Sequence, residues 1–158
     1  MRRAAALGLL ALTAAGCGGG DAEATLSTSD VVRALRSAGY KGLQVRSEVA
    51  TLPAHRPDVS AGRSGLVDVD RISVGRLARS TLLPLTAVRL QTVDAAKDAY
   101  AGDAPLREGA VPPGLPPSFD ASKFHEARVC NVLIASYGDG PVSARYEAAV
   151  DALEQACR

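Results

Sequence analysis

Aromatic residues are scarce in this 158-residue chain, which has no tryptophan, two phenylalanines and four tyrosines. Proteins that bind bases or sugars often hold them against aromatic faces, and here the aromatic residues are scattered along the sequence. A dedicated stacking platform is therefore not expected, and each tyrosine is predicted to pack at the edge of the core. The aromatic residues are Tyr40, Tyr100, Phe119, Phe124, Tyr137 and Tyr146.

An excess of positive charge is also lacking, because 18 Lys and Arg residues stand against 17 Asp and Glu residues. Proteins that bind nucleic acid carry a basic excess that is clustered on one face. Nucleic acid is therefore not an expected partner. The balance gives no reason to expect other strongly anionic ligands either.

No recognisable catalytic or metal-binding motif is present. Residues of the types that ligate zinc occur, but no C-x-x-C, H-E-x-x-H or other paired short spacing joins them. We therefore expect no metal and no cofactor, and we expect both histidines to be solvated loop residues. These ligand-type residues are His55, His125, Cys130 and Cys157.

Two acidic segments give weak signals. Asp139 lies in a Gly-Asp-Gly-Pro run, for which a turn is the ordinary explanation, although its carboxylate is of a type that ligates cations. Asp68, Asp70 and Arg71 form a small charged group within a predicted strand. We expect this group to lie on the solvent-exposed face of that strand.

The N-terminus has the order of charge, apolar run and small residues that is typical of a secretory signal. Arg2 and Arg3 precede an apolar stretch over residues 4–15. That stretch is too short to cross a bilayer core of about 30 Å as a helix. Residues 1–16 are therefore predicted to be a signal peptide and are excluded from the fold.

The segment Ala14-Ala15-Gly16-Cys17 resembles the lipobox of bacterial lipoproteins, in which the chain is cut before a cysteine that carries diacylglycerol. The resemblance implies that Cys17 is lipidated, with acyl chains such as palmitate, and anchors the chain to the extracytoplasmic face of the cell membrane. Ala14 stands where leucine is commonest, so the alternative is ordinary cleavage that gives a secreted chain with a free Cys17. A lone exposed thiol is a liability in an oxidising compartment, which favours lipidation.

The mature chain is predicted to consist of a short tether and one domain. Residues 17–26 comprise the lipidated cysteine and a polar, glycine-rich segment of the kind that behaves as a flexible coil. Residues 27–158 have the length expected of a single domain with one hydrophobic core.

Periodicity predicts two helices and three strands in the first hundred residues. Ser27 to Asp30 offer cap residues for the first helix, which ends at Gly39, and Thr92 caps the second. Two long stretches, 51–65 and 102–122, contain proline and glycine without periodicity and are predicted to be loops. Alternation of apolar and polar residues predicts strands over 43–49, 66–75 and 82–93, and the second helix covers 93–100.

The C-terminal segment from residue 128 is the best-specified unit. Residues 128–137 form a nearly continuous apolar run, typical of an interior strand, and a turn then leads into an amphipathic helix. The strand from Cys130 and the helix to Cys157 span about 26 Å and about 24 Å, so the helix returns Cys157 to the level of Cys130. In an exported chain with Cys17 lipidated, these two thiols are predicted to form a disulfide.

The sequence VVRALRSAGYKGLQV, residues 31–45, loosely resembles the wall-binding repeats called PASTA and also small actinobacterial lipoproteins. The resemblance implies a cell-wall ligand as one option. It covers only a helix that ends at glycine and the strand that follows, and this unit recurs in unrelated α/β folds.

Together these elements predict an α+β domain with a sheet of three to four strands, mixed or antiparallel, with helices packed on it and a disulfide that joins the last strand to the last helix. The expected function is a noncatalytic envelope lipoprotein that binds a protein, a wall polymer or a small ligand. The alternative is a small envelope enzyme with its site in loops 51–65 and 102–122 and with His55, His125 and Asp139 as candidate residues. A deep pocket with a histidine beside a carboxylate would favour the enzyme.

Overall fold

The computed structural model describes residues 24–51, 66–74, 85–102 and 117–158. The predicted signal peptide, Cys17, His55 and most of both long loops lie outside the described residues. The elements in chain order are α1 (Thr28–Ser37), β1 (Leu43–Thr51), β2 (Leu66–Val74), β3 (Thr86–Leu90), α2 (Val93–Gly102), a short 3-10 helix (Ala121–Lys123), β4 (Phe124–Val129), β5 (Val132–Tyr137) and α3 (Pro141–Ala156).

The five strands form one sheet in the order β1-β2-β3-β5-β4, and every neighbouring pair is antiparallel. Helices α1 and α3 pack on one face of the sheet, and α2 packs on the other. The prediction of an α+β domain is therefore confirmed.

The predicted number of strands is wrong, because residues 128–137 are not one strand. The chain reverses at Cys130 and Asn131, and Val129 pairs with Val132 across this two-residue turn. Cys130 adopts a φ of 52°, in the left-handed region that tight hairpin turns often require. Glycine is the usual signal for such a turn, so the apolar run concealed it. Of the two strands within this run, β5 is an interior strand, while β4 forms an edge of the described sheet.

The larger core lies between the sheet and the pair α1 and α3. The predicted cap of α1 is confirmed: the Ser27 hydroxyl accepts from the Asp30 backbone N–H, and the Asp30 carboxylate accepts from the Ser27 N–H. Helix α1 buries Val31, Ala34 and Leu35, and α3 buries Tyr146, Ala149 and Leu153. Against them lie sheet residues of one face, including Ile72, Ala87, Val132 and Ile134.

A smaller core lies on the opposite face, beneath α2. Ala96 and Ala99 of this helix pack on Val69 and Leu90. The predicted cap is confirmed, because the Thr92 hydroxyl accepts from the backbone N–H of Ala95 at 3.1 Å. The sheet is therefore covered on both faces where α2 and α3 reach it.

The predicted disulfide between Cys130 and Cys157 is confirmed, with a Cα–Cα distance of 6.5 Å. Cys130 lies in the hairpin turn rather than on a strand, and Cys157 caps the C-terminus of α3. The bond therefore joins the turn between β4 and β5 to the end of the last helix.

The described ends of the two predicted loops are short. Thr51 closes β1, and Gly102 closes α2. Residues 117–120 form a turn and an extended pair before the single turn of 3-10 helix. No helix within the described residues is long and apolar enough to span a membrane.

Candidate functional site

Asn131, the only asparagine in the chain, fixes the first described residues to the hairpin turn. Its side-chain oxygen accepts from the Leu26 N–H at 2.8 Å, and its amide donates to the Leu26 carbonyl at 3.1 Å. The amide also donates to the Leu90 carbonyl at 2.7 Å. Leu26, which the sequence alone assigns to the tether, is buried, and these bonds hold it at the hairpin turn.

The opposite end of the hairpin carries the candidate functional site. Strand β5 has six residues, which extend about 20 Å at about 3.3 Å per residue. Phe124 and Tyr137 pair at that end, whereas Val129 and Val132 pair beside the turn. The end with Phe124 and Tyr137 thus lies about 20 Å along the sheet from the point where the chain enters the domain.

Three half-buried aromatic rings gather at this end, although the aromatic residues are scattered along the sequence. The ring of Phe119 stacks on that of Tyr137, with centroids 5.4 Å apart, and lies 6.1 Å from that of Phe124. The Tyr137 hydroxyl accepts from the backbone N–H of Asp120 at 3.1 Å. We refer to Phe119, Phe124 and Tyr137 as the aromatic cluster.

Short polar contacts hold the segment that brings Phe119 to the strands. The Asp120 carboxylate accepts from both the backbone N–H and the hydroxyl of Ser122, and these bonds lower the pKa of Asp120. The Lys123 carbonyl accepts from the Gly138 N–H at 2.8 Å. The Lys123 ammonium lies 3.2 Å from the Asp139 carboxylate, and this contact raises the pKa of Lys123. A charged rim therefore borders the aromatic cluster.

His125 lies within β4 and is half-buried, so the expectation of a solvated loop histidine is wrong. Its Nε2 lies 2.8 Å from the Gly138 carbonyl oxygen, and its ring lies 5.4 Å from that of Tyr146. Burial raises the pKa of Tyr146, whose hydroxyl has no hydrogen-bond partner in the described part of the chain. These contacts give His125 a packing role beside α3.

His125 and Asp139, the two described candidate catalytic residues, have different polar partners. Asp139 is exposed and pairs with Lys123, while His125 bonds the Gly138 carbonyl instead of a carboxylate. His55 lies outside the described residues. Within 24–51, 66–74, 85–102 and 117–158, no group of three His, Cys, Asp or Glu residues is placed to hold a metal ion.

Among the described residues, two depressions open on the face of the sheet that carries α1 and α3. One, of about 100 Å³, is apolar and lies where Tyr40 and Val142 meet; Arg145 stands over the Tyr40 ring at 5.7 Å. The other, of about 280 Å³, is a groove between α1 and α3 that is lined by Arg33 and Ala152. Ligand pockets commonly have volumes of about 300–1,000 Å³, so both depressions are small for an enclosed ligand.

Asp70 lies on the face of the sheet that carries α1 and α3, where its side chain is largely buried. The expectation that it lies on a solvent-exposed strand face is therefore wrong. Its carboxylate accepts from the hydroxyls of Ser47 and Thr28 and from Nε of Arg89 at 3.0 Å. The hydroxyl of Ser47, then that of Thr28, and then Arg89 hold the pKa of Asp70 below its usual value. Arg71 points to the opposite face, where its Nε donates to Glu48 at 2.7 Å.

The Asp70 group ties the start of α1 to the sheet. Thr28 is the first residue of the helix, where a carboxylate is favoured by the helix dipole. Asp70 and Arg89 are each only 14% exposed, and both carboxylate oxygens of Asp70 accept hydrogen bonds. The arrangement therefore stabilises the contact between α1 and the sheet.

No protein family, no curated protein and no solved structure matches this chain. The role of its surfaces is therefore inferred from its own residues.

Two features are not predicted by the sequence. The aromatic cluster depends on Phe119, Phe124 and Tyr137, and the last two are brought together only by the hairpin, which the apolar run predicts as one strand. The second feature is Asn131. A single asparagine next to a cysteine inside an apolar run was the available signal for a turn, because asparagine is common in turns.

Proposed function

We propose that this chain is a noncatalytic lipoprotein of the bacterial envelope, anchored through lipid on Cys17, that binds an extended ligand at the aromatic cluster. The observation that carries the proposal is the half-buried aromatic cluster at the end of the hairpin, about 20 Å along the sheet from Asn131 and the Leu26 that it bonds. The ligand is a wall polymer or a protein segment.

The position of Leu26 supports this orientation. Leu26 is the ninth residue after Cys17, and a flexible coil of that length has a root-mean-square span of about 16 Å. Leu26 bonds the side chain of Asn131 at the turn of the hairpin. A domain tethered at this residue can turn its other end, with the aromatic cluster, away from the membrane.

The shape and chemistry of the described surface favour an extended ligand. The two depressions are small, whereas the aromatic cluster is a surface feature with charged groups at Lys123 and Asp139 beside it. Rings with one exposed face contribute to the binding of flat or apolar groups, and nearby charges add orientation.

The anchor is tested by Cys17→Ser in cells that express the full chain. We expect the wild-type chain to partition into the detergent phase and the variant into the aqueous phase, because the variant lacks the thiol that carries lipid. Intact mass gives the independent measurement. An unmodified Cys17, or cleavage elsewhere, would contradict the anchor.

A sedimentation experiment tests the binding surface in the chain that lacks the anchor. The Cys17→Ser chain is sedimented with isolated envelope material, and Tyr137→Ala is expected to reduce the bound fraction by about threefold or more because an aromatic contact is worth about 1 kcal/mol. Tyr137→Phe, which keeps the ring, is expected to retain binding. Equal binding by all three chains would contradict the proposed surface.

A further inference from the structure

Strand β1 is the outermost strand of the sheet and pairs only with β2 among the described strands. It is nine residues long and contains no proline or lysine, two residues that often protect an exposed sheet edge. Val45 is 48% exposed and Val49 is 61% exposed. An edge of this kind is suited to pairing with another strand.

The sequence of β1 is self-complementary about Ser47. The central residues read Val45-Arg46-Ser47-Glu48-Val49, so charges of opposite sign and two valines are placed symmetrically. If two copies pair antiparallel with Ser47 opposite Ser47, Arg46 faces Glu48 of the second copy. On the other side of the sheet, Val45 faces Val49 of the second copy.

Neighbouring registers lose this match. A shift of two residues in one direction places Arg46 opposite Arg46, and the same shift in the other direction places Glu48 opposite Glu48. Like charges directly opposite each other destabilise a strand pair. A shift of one residue changes which face each side chain occupies, so exposed valines no longer meet. The pattern therefore specifies one register.

The charges within one copy leave Arg46 available. Arg46 lies directly opposite Arg71 in the pair of β1 with β2, while Arg71 donates to Glu48. Arg46 is exposed, and none of the ion pairs within the described residues includes it. A second copy in the Ser47-centred register brings a carboxylate to Arg46 on its open side.

The other edge of the sheet does not offer the same surface. Strand β4 contacts both α2 and α3, and its side chains are half-buried or buried. We propose that two copies of this chain associate through β1 in the Ser47-centred antiparallel register, which joins their five-stranded sheets across a two-fold axis.

The register is tested with two charge reversals in the full chain carrying Cys17→Ser, which removes the candidate lipid without shortening the protein. Arg46→Glu places a carboxylate opposite Glu48 of the second copy, and Glu48→Arg places a guanidinium opposite Arg46 of the second copy. Because each repulsion occurs twice in a symmetric dimer, we expect either variant alone to raise the dissociation constant by about tenfold or more. Light scattering over a concentration series gives the measurement.

Mixing the two variants provides the decisive arm. In a mixed dimer both charge pairs are again of opposite sign, so equimolar Arg46→Glu and Glu48→Arg are expected to restore association to within about threefold of wild type. Arg36→Glu and Glu147→Arg, at exposed helical positions, are the matched controls and are expected to dimerise as wild type. Circular dichroism checks that each variant is folded.

Three outcomes would overturn the proposal. The first is a wild-type chain that stays monomeric up to about 100 μM, since specific protein–protein association is expected at micromolar concentrations or below. The second is a dimer that neither charge reversal weakens, and the third is a mixture that does not recover. Association that is weak in each variant and is recovered when the two are mixed distinguishes this register from association through another surface.

Discussion

The two ends of the sheet differ in how they are covered. The end formed by β3, β5 and β4 lies between α3 on one face and α2 on the other. At the β1 end, Val45 and Val49 are exposed on the face that carries α1 and α3. We refer to β3, β5 and β4 as the closed half, because helices cover both of its faces, and to β1 and β2 as the open half, because β1 has exposed apolar side chains.

Different interactions hold the two halves. In the closed half, apolar side chains are buried on both faces, and the disulfide and Asn131 fix the hairpin turn. In the open half, polar contacts contribute more: Asp70 binds α1 to β2, and Arg71 binds β1 through Glu48. The closed half should therefore unfold with the whole domain, and the open half should respond first to pH.

Asn131→Ala is expected to have the largest effect. The substitution removes three hydrogen bonds and leaves the buried N–H and carbonyl of Leu26 without the Asn131 side chain, while the Leu90 carbonyl keeps only a longer bond from Arg89 at 3.4 Å. Each unsatisfied buried group costs about 1–3 kcal/mol, so we expect a loss of about 3 kcal/mol or more in the free energy of unfolding. Urea titration of the oxidised chain measures it.

Ser122→Ala is the matched control, because Ser122 is an exposed polar residue whose bonds are made to Asp120. It is expected to change the free energy of unfolding by less than about 1 kcal/mol. If Asn131→Ala costs no more than the control, Asn131 does not hold the closed half together.

Cys157→Ser is expected to have the next largest effect. The disulfide joins residues that are 27 apart in sequence, and a bond of this kind contributes about 2–4 kcal/mol by restricting the unfolded chain. We expect a loss in this range with the sheet and the helices retained. Circular dichroism and urea titration measure the two quantities, and reduction of the wild-type chain should reproduce the variant.

Recovery of both Cys130 and Cys157 as alkylated thiols from protein isolated without reductant would contradict this prediction. A fold that collapses in the variant would also contradict it, because the closed half is expected to keep its apolar core. The disulfide then would be a condition of folding and not an addition to stability.

Much of the fold could be predicted because local signals and tertiary packing agree. Ser27 and Thr92 cap the helices that they were expected to cap, and alternating residues identified β1 and β2. The disulfide prediction rests on the expectation of export and on the lengths of two elements. These inferences need only local chemistry and chain geometry.

The failures have a common physical cause, which is that the deciding partner is far away in sequence. The hairpin at Cys130 and Asn131 was missed because its turn contains no glycine, and the role of Asn131 depends on Leu26, 105 residues earlier. Asp70 looked like an exposed charge because its partner Thr28 is 42 residues away. Sequence periodicity does not report such contacts.

Replacement of Asp70 is expected to have the smallest effect on the free energy of unfolding. Its effect depends on pH and distinguishes the open half from the closed half. The hydroxyls of Ser47 and Thr28 and the guanidinium of Arg89 lower the pKa of Asp70 from its usual 3.8 in the folded chain only. The stability that the carboxylate adds is therefore fully present above about pH 4 and is lost as the pH falls through the lower folded-state pKa. At neutral pH, Asp70→Asn is expected to cost about 1–2 kcal/mol, since Arg89 loses its charged partner.

Amide hydrogen exchange measures which strands and helices lose protection when Asp70 is protonated. As the pH falls below about 3.8, we expect amide protection in β1 and at the start of α1 to decrease before protection in β5, because Asp70 joins the open half to the helix while Asn131 and the disulfide are insensitive to acid. In Asp70→Asn the difference between the strands should already be present at neutral pH and should change little with acid. Equal loss of protection in β1 and β5, in either chain, would show that the two halves unfold as one cooperative unit.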